Sequence, residues 1–169
     1  MHDERSDPSF DELYIQGTRL LHVNNAIQAV ELLEKAHELR PDHIDAAINL
    51  GGAYILSARF KPAVEVLERA VHEDPNHAMA WINLAAAYLG NPVLARDEEQ
   101  LKAIAAFNRA LDLRPASPSV AYNIGLIYRD RKEWKEAEFW FRKAVETDPT
   151  DQDATNLLQK MLAIQNDTG

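Results

Sequence analysis

The stretch Ala29-Val30-Glu31-Leu32-Leu33-Glu34-Lys35-Ala36-His37-Glu38-Leu39-Arg40-Pro41 decides the fold, because its pattern returns three more times and ends each time in proline. The four prolines, Pro41, Pro75, Pro115 and Pro149, stand 34, 40 and 34 residues apart. Counting back from each, an alanine lies five residues before it, a large apolar residue eight before it and a second alanine twelve before it. The sets are Ala29, Leu33, Ala36; Ala63, Leu67, Ala70; Ala103, Phe107, Ala110; and Ala137, Phe141, Ala144. Upstream of each set lies a second segment with a small residue at its centre, Gly17, Gly51, Ala85 or Gly125. A large residue follows three positions later, Leu20, Tyr54, Tyr88 or Tyr128. The chain is an array of one repeated unit.

Each unit reads as two amphipathic helices, since its apolar positions recur at spacings of three and four. A small residue in the middle of the first helix, facing the early alanine of the second, lets the two backbones approach closely. The late alanine admits the next unit's first helix. Proline ends the second helix, because the residue before it is pushed out of the α region. Asp42, Asn76 and Ser117, the last with Pro118 at a first helical position, are suited to cap the helix that follows. A single unit cannot bury its own apolar face, so stacking must supply the core.

A period of 34 with this order of small, aromatic, alanine and proline positions resembles the tetratricopeptide repeat. The resemblance covers residues 10–151 as four units, 10–43, 44–77, 78–117 and 118–151, the third with a six-residue insertion. The first unit is degenerate, with Leu13 and Gln16 where the family prefers tryptophan and leucine. After Pro149 the segment 152–165 repeats only the first-helix half, with Ala154, Leu157, Leu158, Met161 and Leu162 on one side, and is similar to a capping helix. The fold implied is all-α, a right-handed superhelical solenoid of antiparallel helix pairs forming one array over 10–166. It follows an acidic flexible lead-in over 1–9 that runs up to Asp11 and Glu12 in the first turn of a helix.

With 169 residues the chain is long enough for one cooperative domain, and no run approaches the roughly 20 apolar residues of a membrane span. The start, Met1 to Ser9, is acidic and polar, so cytoplasmic residence is the default expectation, with a trimmed periplasmic leader left open. The chain has no cysteine, which removes disulfides and thiolate metal sites. A net charge of −9 argues against nucleic acid, which needs a concentrated basic surface. The densest basic cluster, Arg129, Arg131, Lys132 and Lys135, is interrupted by Asp130 and Glu133.

No catalytic, metal or cofactor constellation outweighs the structural reading of the same residues. The histidines, His2, His22, His37, His43, His72 and His77, fall mostly at helix ends and turns, without HExxH or helical ligand spacing, and read as surface residues. Gly51 and Gly52 sit inside a helix and not in a phosphate loop after a strand. Ser57, Ser117 and Ser119 read as turn and cap residues, and Glu98 and Glu99 as a solvated face. The chain is therefore expected to be a non-catalytic protein-binding module. A dedicated chaperone for one client and a self-associating structural subunit are the alternatives.

The resemblance places a concave surface on the first helices. The positions that the core pattern leaves free are Asp11, Tyr14, Thr18 and Leu21; Asp45, Ile48, Gly52 and Ile55; Met79, Ile82, Ala86 and Leu89; and Ser119, Tyr122, Leu126 and Arg129. So apolar a stripe suits a peptide or apolar segment, with Gly52 and Ala86 as hollows, although some of these side chains can instead pack between adjacent first helices. Beside it, Asn49, Asn83 and Asn123 resemble the asparagines by which related arrays hold a peptide backbone, while the same amides can equally bond within the array. The carboxylate clamp of chaperone-binding relatives is absent, since its places carry Ile48, Gly52, Met79, Ile82 and Asn83. Arg129 alone remains to meet a single acidic group.

Two departures from the repeat stand out. The third unit's insertion falls within Gly90 to Gln100, where a loop over about 90–96 is expected, with Val93 or Leu94 tucked against the groove edge. Asn91-Pro92 and Asp97 with Gln100 are candidate helix starts there. In the fourth unit Glu138-Phe139 reverses the order of Val30-Glu31 and Val64-Glu65, which puts Phe139 on the outer face. With Trp134 and Trp140 it forms a candidate convex interface for weak self-association, unless lysine stems cover it.

Overall fold

The computed structural model describes residues 8–91 and 95–167. These residues are helical throughout, joined by short turns, and divide into two compact units, one ending at Ala95 and the other starting at Arg96. The boundary falls in the insertion of the third repeat.

The first unit holds α1 (Phe10–His22), α2 (Ala26–Leu39), α3 (Ile44–Leu56), α4 (Phe60–Glu73) and α5 (Ala78–Leu89). Each helix packs on the next, and α3 also lies against α1 and α5, so the first helices of successive repeats are neighbours. The core between them is made of the predicted residues, with Ala29, Leu33, Ala63 and Leu67 fully buried. The late alanines do admit the next helix: Ala36 shares a cluster with Ala46 of α3.

The second unit holds α6 (Asp97–Leu113), α7 (Pro118–Asp130), α8 (Trp134–Thr147) and α9 (Gln152–Asp167), again packed in sequence. Ala144 meets Ala154 of α9, the counterpart of the Ala36–Ala46 contact. The capping helix thus runs two residues beyond the expected end at 165. The loop before α6 matches expectation in its described part. Val93 and Leu94 lie outside the described residues, as does Pro92.

The residues before the repeat prolines are extended, as the steric rule requires, with φ between −126° and −140° at Arg40, Asp74, Arg114 and Asp148. The turns inside the first, second and fourth repeats use a left-handed residue that is not glycine. Asn24, Ala58 and Lys132 have φ of 58°, 58° and 61°. In each, the next amide reaches back five residues, as Asn25 N to Leu20 O at 2.9 Å, closing the helix end in a Schellman arrangement.

Several sequence expectations need correction. The central glycines face the large residue of the second helix and not its early alanine. A Cβ at Gly17 would lie 2.7 Å from Leu33 Cγ, one at Gly51 2.5 Å from Leu67 Cγ, and one at Gly125 2.8 Å from Phe141 Cδ1. The caps also differ. His43 and His77, not Asp42 and Asn76, cap α3 and α5, their Nδ1 atoms accepting from Ala46 N at 3.2 Å and Ala80 N at 3.4 Å. Imidazole can do this because its unprotonated nitrogen is an acceptor at the reach of an N-cap side chain. Ser117 precedes α7, with Pro118 at its start, but its Oγ donates to Arg114 O at 2.9 Å instead. Ser9, placed in the lead-in by the sequence pattern, is the N-cap of α1. Its Oγ accepts from Glu12 N and its own amide donates to Glu12 Oε2, a complete capping box. At α6 the cap residue is Arg96, whose amide donates to Glu99 Oε2 at 3.1 Å, so the helix begins at Asp97 as its first residue and the cap falls one residue before the expected Asp97–Gln100 pair.

The repeated tyrosines make a contact that periodicity does not reveal. Tyr54 Oη donates to Glu34 Oε1 and Tyr88 Oη to Glu68 Oε1, both at 2.7 Å, each linking a first helix to the preceding second helix. Burial and then the carboxylate neighbour raise both phenols, that of Tyr54 to about 12.

Candidate functional site

In the first unit the free positions of α1, α3 and α5 form a partly exposed apolar surface. Tyr14, Leu21 and Ile55 are half-buried against the core, Ile82, Ala86 and Leu89 are likewise part-exposed, and Met79 is 41 % exposed. Gly52 is the low point. A Cβ there would stand in ordinary contact, 3.6 Å from Asn83 Nδ2 and 3.8 Å from Leu21 Cδ2, so the missing side chain leaves a shallow, methyl-sized hollow bounded by α1 and α5. Ile48 departs from this. It is 4 % exposed and belongs to the core cluster, because α3 has neighbours on both sides and little of its inner face is left over.

The asparagines are partly committed inside the array. Asn49 Nδ2 donates to Thr18 Oγ1 at 3.0 Å and to Tyr14 Oη at 3.5 Å, and Asn83 Nδ2 donates to Ile48 O at 3.4 Å. Each amide therefore spans adjacent first helices, and among the described residues its Oδ1 accepts nothing further. In the second unit Asn123 is half-buried beside Tyr122 and Leu126, and its side chain makes no hydrogen bond among the described residues. One sequence position thus carries two roles.

Arg129 is not free to meet an acid. Its guanidinium holds Asp130 Oδ1 through Nη2 at 2.6 Å and Nε at 2.9 Å. Arg131 is likewise engaged, by Asp97 and by Glu133 at 2.6 Å, so two of the four clustered cations are internally neutralised.

The three aromatics assigned to a convex interface separate. Phe139 is 59 % exposed and stands edge-on to Trp140, with ring centroids 5.3 Å apart. The ammonium of Lys143 lies over Trp140, its Nζ 5.0 Å from the ring centroid, and no lysine contact with Phe139 occurs among the described residues. Trp134 packs elsewhere, with Met161 and Leu157 of α9. Position 134 opens α8 on the side that receives α9, whereas Phe139 points away from that contact. Sequence reading could have separated them from the helical period alone.

Among the described residues no group of His, Asp and Glu is placed to hold a metal ion, and no helix is long and apolar enough to cross a membrane. The histidines are more varied than a surface reading suggests, since His37 Nδ1 is buried without a hydrogen-bond partner. Its pKa is lowered by that burial and by Arg69.

Two tetratricopeptide repeat family profiles match the chain, over residues 20–88 and 98–152. No curated relative matches it. Among solved structures, residues 41 to the end of MamA from Desulfovibrio magneticus RS-1 are 28 % identical with a TM-score of 0.74, covering 85 % of this chain and 78 % of that one. The thermophilic protein TTC0263 of Thermus thermophilus is 19 % identical, with a TM-score of 0.76 over 93 % of this chain and 83 % of that one. Within the Cut9–Hcn1 hetero-tetramer of the APC/C a chain is 20 % identical, with a TM-score of 0.80 over 92 % of this chain and 30 % of that one. The last two show the fold alone. Four copies of the helix-pair pattern, the stacked first helices and both profiles agree: the chain belongs to the tetratricopeptide repeat family, an all-α helical-repeat solenoid that serves as a protein-binding module.

Proposed function

We propose that the stripe of first-helix residues captures an extended peptide or apolar segment of another protein, without chemistry of its own. The hollow over Gly52 carries this reading. Where Gly17, Gly51 and Gly125 are closed over by Leu33, Leu67 and Phe141, Gly52 alone among the central helical glycines has space at its Cβ position, a methyl-sized dip on a part-exposed face that a ligand's side chain can rest against. Ile55, Ile82 and Leu89 supply apolar surface around it. The Oδ1 atoms of Asn49 and Asn83 are left to accept from a ligand's backbone, while Asn123 in the second unit has its whole amide to offer.

Peptides selected on the purified chain from a random display library provide the probe. For a peptide seated over the hollow, Gly52→Leu and Ile82→Asp should abolish binding, the second because an apolar partner would have to desolvate an unpaired carboxylate. For one seated in the second unit, Asn123→Ala should weaken binding by about 1 kcal/mol with the melting temperature unchanged, whereas Asn49→Ala should lower stability by a similar amount. Full affinity for every selected peptide in Gly52→Leu, Ile82→Asp and Asn123→Ala alike would place binding elsewhere and sink the reading.

Avoidance of nucleic acid belongs to the same proposal, supported by the net charge of −9 and by the internal pairing of Arg129 and Arg131. So does cytoplasmic residence, which fractionation of the native source checks. Weak self-association is proposed through the bare ring of Phe139, for which exposure beside Trp140 is the supporting observation.

A further inference from the structure

A concavity of about 590 Å³ opens in the second unit where the α7–α8 turn faces α9. Its floor is apolar, formed by Trp134, Leu157, Met161 and Ile164. These residues arrive from two places: Trp134 is the first residue of α8, and the other three follow one another at helical spacing along α9. Met161 is buried, but Trp134, Leu157 and Ile164 keep part of their surface in water. Gln165 fixes the geometry by donating to Glu138 Oε2 at 2.8 Å, which ties α9 to α8 just behind the floor.

The rim is cationic. Arg129 and Asp130 neutralise each other, but Lys132 and Lys160 make no ion pair among the described residues. Lys132 stands at the left-handed position of its turn, where the equivalent turns of the first unit carry Asn24 and Ala58, so the turn itself does not demand a lysine. In a chain of net charge −9, two unneutralised ammonium groups over one apolar floor are a local reversal of sign. A neutral apolar partner would leave both charges facing it unmatched, and a purely acidic one would leave the floor wet.

We infer that this concavity docks an acidic peptide segment carrying one aromatic or branched aliphatic anchor. The anchor lies against Trp134, Leu157 and Ile164, and flanking carboxylates meet Lys132 and Lys160. The inference rests on the groove reading in one respect, since the stripe of α7 ends at Arg129 on this rim, and it names the chemistry favoured at that end.

The probe is the peptide acetyl-Glu-Asp-Phe-Leu-Glu-Asp-amide, titrated against the full chain and followed by the indole resonance of Trp134, assigned with Trp134→Phe. Its glutamine–asparagine analogue, a lysine analogue and sodium decanoate are the controls. The acidic peptide should bind, and the variant carrying Lys132→Glu and Lys160→Glu should bind it about tenfold more weakly, within the limit of about 25-fold set by two exposed pairs worth up to about a factor of five each. The lysine analogue should bind that variant better than it binds the wild type. Both lysines are exposed, so a melt should show both proteins equally folded. Gly52→Leu, which tests the groove of the first unit, should leave this titration unchanged, so the two readings fail separately. Equal binding of the acidic and neutral peptides, no shift at about 1 mM of the acidic peptide, or saturation of the indole shift by decanoate alone overturns the inference.

Discussion

Gly51 and Gly52 are adjacent in α3, yet alanine at the two positions should act with opposite sign. A Cβ at Gly51 would lie 2.5, 2.7 and 2.8 Å from Leu67 Cγ, Cδ2 and Cδ1, well inside the 3.4 Å at which ordinary contact begins. Leu67 is fully buried in the core cluster and has nowhere to swing, so α3 and α4 must separate. Overpacking of this kind costs about 1–3 kcal/mol. The gain from replacing glycine in a helix, about 1 kcal/mol, offsets part of it. The net loss is up to about 2 kcal/mol, or a few degrees in melting temperature. At Gly52 the nearest atoms stand at 3.6 and 3.8 Å, so only the helix gain remains and the protein should be stabilised by about 1 kcal/mol. Urea denaturation followed by circular dichroism and by the fluorescence of Trp81, which belongs to the same unit, measures both. A double-mutant cycle with Leu67→Ala isolates the contact. Leu67→Ala alone should cost about 2–5 kcal/mol, and Gly51→Ala should become neutral or stabilising in that background. If Gly51→Ala melts at or above the wild type while Leu67 is present, the account of how the helix pair packs is wrong.

Stability should fall with rising pH in the alkaline range. Tyr54 holds its proton to about 12 in the folded chain, because of its burial and its bond to Glu34, but only to about 10 when unfolded. Between those values the folded state binds more protons than the unfolded one, so the urea midpoint should drop across that window. The drop should be shallower in Tyr54→Phe, and an equal slope in the two proteins would refute the linkage. Sedimentation equilibrium at high concentration should detect weak association of the wild type that Phe139→Ser removes, and a strictly monomeric wild type ends that idea.

The number of helices, their order and most of their core were legible in the sequence, because proline and the alanine–leucine–alanine spacing act on their own helix and recur in register. Leu33, Leu67, Phe107 and Phe141 are buried as their spacing implies. Only tertiary structure decided what the groove positions do. Ile48 and Ile55 look alike along α3, but Ile48 is sealed and Ile55 is part-exposed, a difference made by helices about one repeat away in sequence. The same holds for Asn49, whose partners Tyr14 and Thr18 lie 35 and 31 residues earlier. Asn123, at the same repeat position, is left unbonded among the described residues. The histidine caps and the tyrosine–glutamate bonds were hidden for a related reason. A cap or a hydrogen bond depends on which acceptor atom arrives within about 3 Å, and periodicity specifies only the face of the helix.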